Sequence, residues 1–188
     1  YLASTPNAQL ALSGPLSYST GPQFSARAGG IFANTYDDPN NIGGAWSGTM
    51  KITTPGDYSF GTSSDDGSAL WVDLDQNGKF EHTGAKGDEM VVDNVGDHGT
   101  QQKTGTALGL AAGDYKIAVG FHENGGGQVI EARFGAGNGL DWASMSTINP
   151  GTAAQAGMWS APGFAAINGS PSWSVTQDSV LDAVTTLT

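Results

Sequence analysis

The chain contains no cysteine. Disulfide frameworks, thiolate metal centres and cysteine nucleophiles are therefore excluded. Positive charge is also scarce: 7 Lys and Arg stand against 18 Asp and Glu, leaving a formal net charge of −11 over 188 residues. Binding to nucleic acid or to an anionic membrane surface needs clustered cations, and the sequence has none. No apolar run approaches the roughly 18 residues of a spanning helix, so direct membrane insertion is not expected. Strong helix formers are sparse, and no long stretch carries a 3.6-residue apolar period. The chain starts at Tyr1 without a signal-peptide pattern and reads as a segment of something longer.

What is present is polar, glycine-rich and apolar in alternation. Charged residues make up 13% of the chain, and much of its polarity comes instead from Ser, Thr, Asn and Gln, punctuated by 29 Gly. Hydrophobic residues make up 38%, enough at this length for one domain with a core that needs no covalent staples. Trp46, Gly48, Met50 and Ile52 alternate with polar neighbours, as do Tyr58 and Phe60. The clearest strand places Tyr115, Ile117, Val119 and Phe121 on one face and Lys116, Ala118, Gly120 and His122 on the other. Ile130, Ala132 and Phe134 oppose Glu131 and Arg133. Each period-two run predicts one buried and one solvated sheet face. Pro55-Gly56-Asp57, Asp65-Asp66-Gly67, Asn77-Gly78, Gly113-Asp114 and Gly125-Gly126-Gly127 separate the runs. This spacing predicts an all-β fold, an antiparallel sandwich or barrel with irregular N- and C-terminal extensions. Trp142, Met145, Met158, Trp159, Phe164 and Trp173 are expected to pack back on it.

Acidic clusters are the other signal. In Asp65-Asp66-Gly67-Ser68 two carboxylates are adjacent, and a regular strand would point them to opposite faces. Both reach one cation only through an unusual backbone; the alternative is a polar turn in which they cap amides. Asp73-Leu74-Asp75-Gln76-Asn77-Gly78 matches the first half of an EF-hand loop, with ligands at positions 1, 3 and 5 and glycine at 6. Position 12 is Gly84 where that motif needs Glu, so Asp73, Asp75 and Asn77 are candidate ligands of a structural calcium, with Glu81 as an extra one. The alternative is a type I′ hairpin at Asn77-Gly78. Asp37-Asp38-Pro39-Asn40-Asn41 reads as a turn, with a metal site as the alternative. No pair among His82, His98 and His122 has a helical zinc spacing; His98 and His122 are expected near the binding face.

Residues 44–134 resemble a PA14 domain. The matching pieces are Trp46-Ser47-Gly48-Thr49-Met50, Pro55-Gly56-Asp57-Tyr58-Ser59-Phe60 and Ser64-Asp65-Asp66-Gly67-Ser68-Ala69-Leu70-Trp71-Val72-Asp73. They continue with Gly96-Asp97-His98-Gly99, Leu110-Ala111-Ala112-Gly113-Asp114-Tyr115-Lys116-Ile117, Gly120-Phe121-His122-Glu123 and Glu131-Ala132-Arg133-Phe134. The resemblance implies a β-sandwich or barrel. In the sugar-binding adhesins of this family a cis peptide joins the two aspartates at a calcium ion that bridges sugar hydroxyls. It further implies that Asp65 and Asp66 hold calcium together with an amide and a carbonyl from the loop after the best strand. Asn124 and Gln128 are the amide candidates, and Gly126 is the carbonyl candidate because glycine lets backbone approach an ion closely. The lectin relatives often carry an aromatic residue in this loop, and here there is none.

The tail Ser174-Val175-Thr176-Gln177-Asp178-Ser179-Val180-Leu181-Asp182 resembles the opening of a tandem immunoglobulin-like or cadherin-like repeat of RTX-type adhesins. The expected organisation is a ligand-binding domain over 1–173 and the start of a linker or next repeat over 174–188. No nucleophile elbow is present, and the obvious acid pair falls where the family places calcium, so no catalytic residue is assigned. The expected protein is a calcium-dependent carbohydrate-binding module of a bacterial cell-surface adhesin, extracellular and monomeric within a longer chain, and not an enzyme. The alternative is a calcium-stiffened spacer or protein-interaction domain.

Overall fold

A computed structural model describes residues 8–11, 16–19, 42–81, 88–149, 152–155 and 158–168. Asp37 to Asn41, His82, Gly84, Trp173 and the tail 174–188 lie outside the described residues.

The chain forms two antiparallel sheets. The strands are β1 (Ala8–Ala11), β2 (Ser17–Ser19), β3 (Ile42–Ile52), β4 (Gly56–Asp65), β5 (Ser68–Val72) and β6 (Met90–Asn94). They continue with β7 (Gln101–Leu110), β8 (Gly113–Glu123), β9 (Val129–Ala136), β10 (Ser146–Thr147) and β11 (Trp159–Asn168). The first sheet runs β1-β11-β3-β8-β5-β6, and the second runs β10-β9-β4-β7 with β2 also paired to β9. The sole helical element among the described residues is a 3₁₀ turn at Trp142–Ser144, capped by the Asp141 carboxylate on the Ser144 amide.

The alternating runs become the facing inner surfaces. Trp46, Met50, Ile52, Tyr58, Phe60, Leu70, Val72, Tyr115, Ile117, Val119, Phe121, Ile130, Ala132 and Phe134 form one buried cluster. Burying each large apolar side chain contributes roughly 1.5–3 kcal/mol. Of the C-terminal apolar groups, Met145 and Trp159 are buried, and Met158 packs against the core. Trp159 meets Phe134 edge to face, with centroids 5.0 Å apart. Trp142 is half-buried beneath the Arg133 guanidinium, 4.4 Å from the ring centroid.

Two expectations change. The outer face of β8 is only partly solvated: Ala118 joins Ala69, Trp71, Phe80 and Met90 in a second buried cluster. Phe80 belongs to the β5–β6 connection, so a loop rather than a second sheet covers this face, and every residue of β5 is buried. The ends of the chain also contribute regular structure. β11, which the sequence did not suggest, pairs with β3, and its register shifts between Ser160 and Gly163 around Pro162. Proline interrupts a hydrogen-bond ladder and tends to sit at such bulges, which masks a strand in sequence.

The connections decide where the acids lie. β4 leaves the second sheet at Asp65, and β5 enters the first at Ser68. The β6–β7 and β8–β9 connections cross between the sheets at this same end. The β5–β6 connection lies at the opposite end of β5, one strand length away, roughly 15 Å.

Candidate functional site

The inward face of β4 changes from apolar to polar as it nears the crossing: Tyr58 and Phe60, then Thr62 and Ser64. Below the crossing, Ser68 Oγ donates to Thr62 Oγ1 at 2.9 Å and lies 2.7 Å from Ser64 Oγ. Asn94 Nδ2 donates to Ser64 Oγ at 2.9 Å and to the Gln101 carbonyl at 3.1 Å. This buried network joins β4, β5, β6 and the start of β7 under the acidic residues.

The Asp65–Asp66 peptide is cis. Asp66 is buried and ties two neighbouring loops together. Its Oδ1 accepts the His98 amide at 2.9 Å, and its Oδ2 accepts the Asn124 amide, also at 2.9 Å. The Asp66 amide in turn donates to Glu123 Oε2 at 3.1 Å. Asp65 Oδ2 accepts the Thr100 hydroxyl at 3.1 Å. Gly67 runs against His122, and a Cβ there would stand 2.3 Å from the imidazole Cε1 and 2.7 Å from the Gly96 carbonyl oxygen.

Glu123 is 1% exposed, and its Oε1 has no hydrogen-bond partner. Burial, followed by the charges of Asp66 and Asp65, pushes its carboxyl up to about 8; the amides of Asp66 and Gly125 oppose the shift. Among the described residues no lysine or arginine pairs with Asp65, Asp66 or Glu123. Two buried carboxylates, Asp66 and Glu123, beside half-buried Asp65 make a cluster whose electrostatics favour a cation.

Asp97 and His122 border the same pocket. His122 Nε2 lies 3.0 Å from Asp97 Oδ1, and Asn124 Nδ2 donates to Asp97 Oδ2 at 3.2 Å. Ligand atoms of Asp66, Asp97 and His122 fall within 4.8 Å of one another. His98 turns its imidazole to the carbonyls of Asn94 and Gly99 and contributes its backbone amide to the site.

The structure thus brings Asp65, Asp66 and Asn124 together. Gly126 and Gln128 are in the same β8–β9 connection but bond one another, Gln128 Nε2 donating to the Gly126 carbonyl at 2.6 Å. Gln128 is fully buried whereas Asn124 is exposed. Glu123 and Asp97 were not anticipated as site residues. For Glu123 a signal existed: it continues the inward series Tyr115, Ile117, Val119, Phe121 by one more period-two step, and an acid in that register must lie inside. Asp97 lies in Gly96-Asp97-His98-Gly99, where no local pattern marks it as a ligand.

At the far end of β5, Asp73, Asp75 and Glu89 place ligand atoms within 4.8 Å of one another. Gln76 and Gly78 have φ of 59° and 85°, and Asn77 has no positive φ. A type I′ turn at Asn77-Gly78 needs positive φ at both residues, so that hairpin is not formed. Burial raises the carboxyls of both Asp73 and Glu89, opposed by backbone amides.

The sequence profile of the PA14 domain family matches residues 31–144. No curated protein matches the chain. Among solved structures, the PA14 domain of MpAFP antifreeze protein is 15% identical, with 90% of each chain covered and a TM-score of 0.47. The PA14 sugar-binding domain from an RTX adhesin is 15% identical, covering 74% of this chain and 96% of its own, with a TM-score of 0.38.

Proposed function

The chain belongs to the PA14 domain family, and from that premise we propose that it is a calcium-dependent carbohydrate-binding module of an extracellular surface protein. The observation that carries this reading is Glu123: a buried carboxylate with an unpartnered oxygen, facing Asp66 and Asp65 with no lysine or arginine among the described residues paired to them. A hard cation is the economical remedy, because Asp65, Asp66 and Glu123 offer carboxylate oxygens, while the His122 ring is engaged with Asp97.

In this reading Asp65, Asp66 and Glu123 supply the carboxylate wall. Amides from His98 and Asn124 hold the Asp66 oxygens in place, and each oxygen keeps a further lone pair for an ion. Of the two amide candidates, exposed Asn124 faces the mouth while buried Gln128 braces the loop through Gly126. Bound calcium takes six to eight oxygen ligands in a forgiving geometry, so vicinal sugar hydroxyls can take the places of waters. Asp97 and Asn124, both exposed, lie at the rim where sugar hydroxyls would need partners. Binding, not catalysis, is the proposed role. The partner is a surface glycan, and the module is monomeric within its longer chain.

A glycan array probed in millimolar calcium and again in EDTA tests this. Glycan binding that EDTA abolishes is the expected result. Calcium-dependent melting without any glycan binding would instead support a spacer, and turnover of a glycoside would support an enzyme.

A further inference from the structure

We infer that the β5–β6 connection is a second calcium site, structural in role, in which Asp73, Asp75 and Asn77 are completed by Glu89 from outside the EF-hand-like loop. The inference is independent of sugar binding.

The sequence motif breaks at Gly84, where a carboxylate should close the shell. The fold supplies one from elsewhere. Glu89 immediately precedes β6, and the Val72 amide donates to its carbonyl, which anchors it beside the end of β5. Its side chain turns into the loop. Oε1 accepts the amides of Leu74 at 2.6 Å and Asp75 at 3.3 Å, and Oε2 accepts that of Glu81 at 2.9 Å. A carboxylate has about four lone-pair sites, so this oriented group still has one to offer.

Asp73 is the independent observation. It is 2% exposed, and its Oδ2 accepts the Gly78 amide at 2.9 Å while its Oδ1 has no partner. A buried carboxylate oxygen left unmet is costly, and here it belongs to the group that converges with Asp75 and Glu89. At the loop's open side Asn77 Nδ2 is shared among Asp75 Oδ2, Glu81 Oε1 and Glu81 Oε2, three acceptors for two hydrogens. The converging donors are the carboxylates of Asp73, Asp75 and Glu89. The Asn77 amide oxygen, which accepts the Lys79 amide at 2.8 Å, would join them by turning its amide over. Together they are a hard all-oxygen set that selects calcium rather than a softer metal.

The consequence is mechanical. The same loop carries Phe80, which covers Trp71, Met90 and Ala118 on the outer face of the first sheet. An ion that fixes the loop therefore fixes the cover of a buried tryptophan.

Calorimetric titration with calcium chloride, paired with thermal melts, tests the site. The protein is expected to bind two calcium ions, Asp66→Asn one, Glu89→Gln one and the double variant none. Glu89→Gln should also lose most of the calcium-induced rise in Tm that Asp66→Asn retains. Asp75→Ala, an exposed change that spares the core, guards against misfolding of the buried variant and should match Glu89→Gln. If Asp75→Ala, folded by circular dichroism, shows the stoichiometry and Tm rise of the unsubstituted protein, the inference is overturned. The same holds if the Asp66→Asn variant binds no calcium.

Discussion

Glu123 and Asp66 are bonded and opposed at once. The Asp66 amide donates to Glu123 Oε2 at 3.1 Å, while the Asp66 carboxylate, next after burial, holds the Glu123 carboxyl up near 8. The backbone fixes the pair at hydrogen-bonding distance, and the charges make that distance unfavourable without a cation.

This sets a pH dependence for the metal-free protein. An unfolded glutamate titrates near 4.5 and the folded Glu123 near 8, so between those values the native state holds a proton that the unfolded state has released. Stability contributed by this group is full below about 4.5 and is lost as pH rises through about 8. In EDTA, Tm should fall from pH 6 to 8.5; in excess calcium, which requires the deprotonated carboxylate, the fall should shrink. Scanning calorimetry across that range reads both. A metal-free Tm that rises over the range would contradict the assignment of Glu123 as the strained group.

Asp66→Ala should abolish glycan binding and still fold. It removes the acceptor of two loop amides, each bond to a charged group being worth about 1.5–3 kcal/mol, so a lowered Tm is expected. The inter-sheet cluster does not include this residue and should persist in the circular dichroism spectrum. Unchanged glycan affinity by calorimetry would place sugar recognition elsewhere.

Gly67→Ala should disturb the site through packing alone. The added Cβ meets both the His122 ring and the Gly96 backbone, and His122 is held by Asp97. Overpacking of this kind costs about 1–3 kcal/mol. Calcium affinity and Tm should both drop, although no ligand is lost. Retention of both would mean that the β6–β7 connection yields more easily than its contacts suggest.

Gly126→Val should weaken glycan binding with little effect on the core. Gly126 has φ of 109°, where side chains with a Cβ are strained, and its carbonyl receives the Gln128 amide. Glycan titration beside a melt of the variant checks this, and an affinity equal to that of the unsubstituted protein would remove the loop from the mechanism.

Light scattering should report a monomer. The net charge of −11 opposes self-association, and Leu108 is the sole large hydrophobic residue exposed among the described residues. A salt-resistant dimer would contradict this.

Sequence alone determined the β class, the inward residues of β3, β4, β8 and β9, and the Asp65-Asp66 and Asp73–Gly78 motifs. These follow from local rules: period-two alternation, turn chemistry, and short strings of oxygen-bearing side chains. Glu123 was within reach of the same alternation. Tertiary structure decided the rest, because the deciding contacts join residues remote in the chain: Asp66 with His98, Glu123 and Asn124, and Leu74 with Glu89. Whether a carboxylate is buried, and whether an amide or another carboxylate meets it there, depends on which connections share an end of the sandwich. That is set by the order of strands in two sheets, which no local pattern encodes.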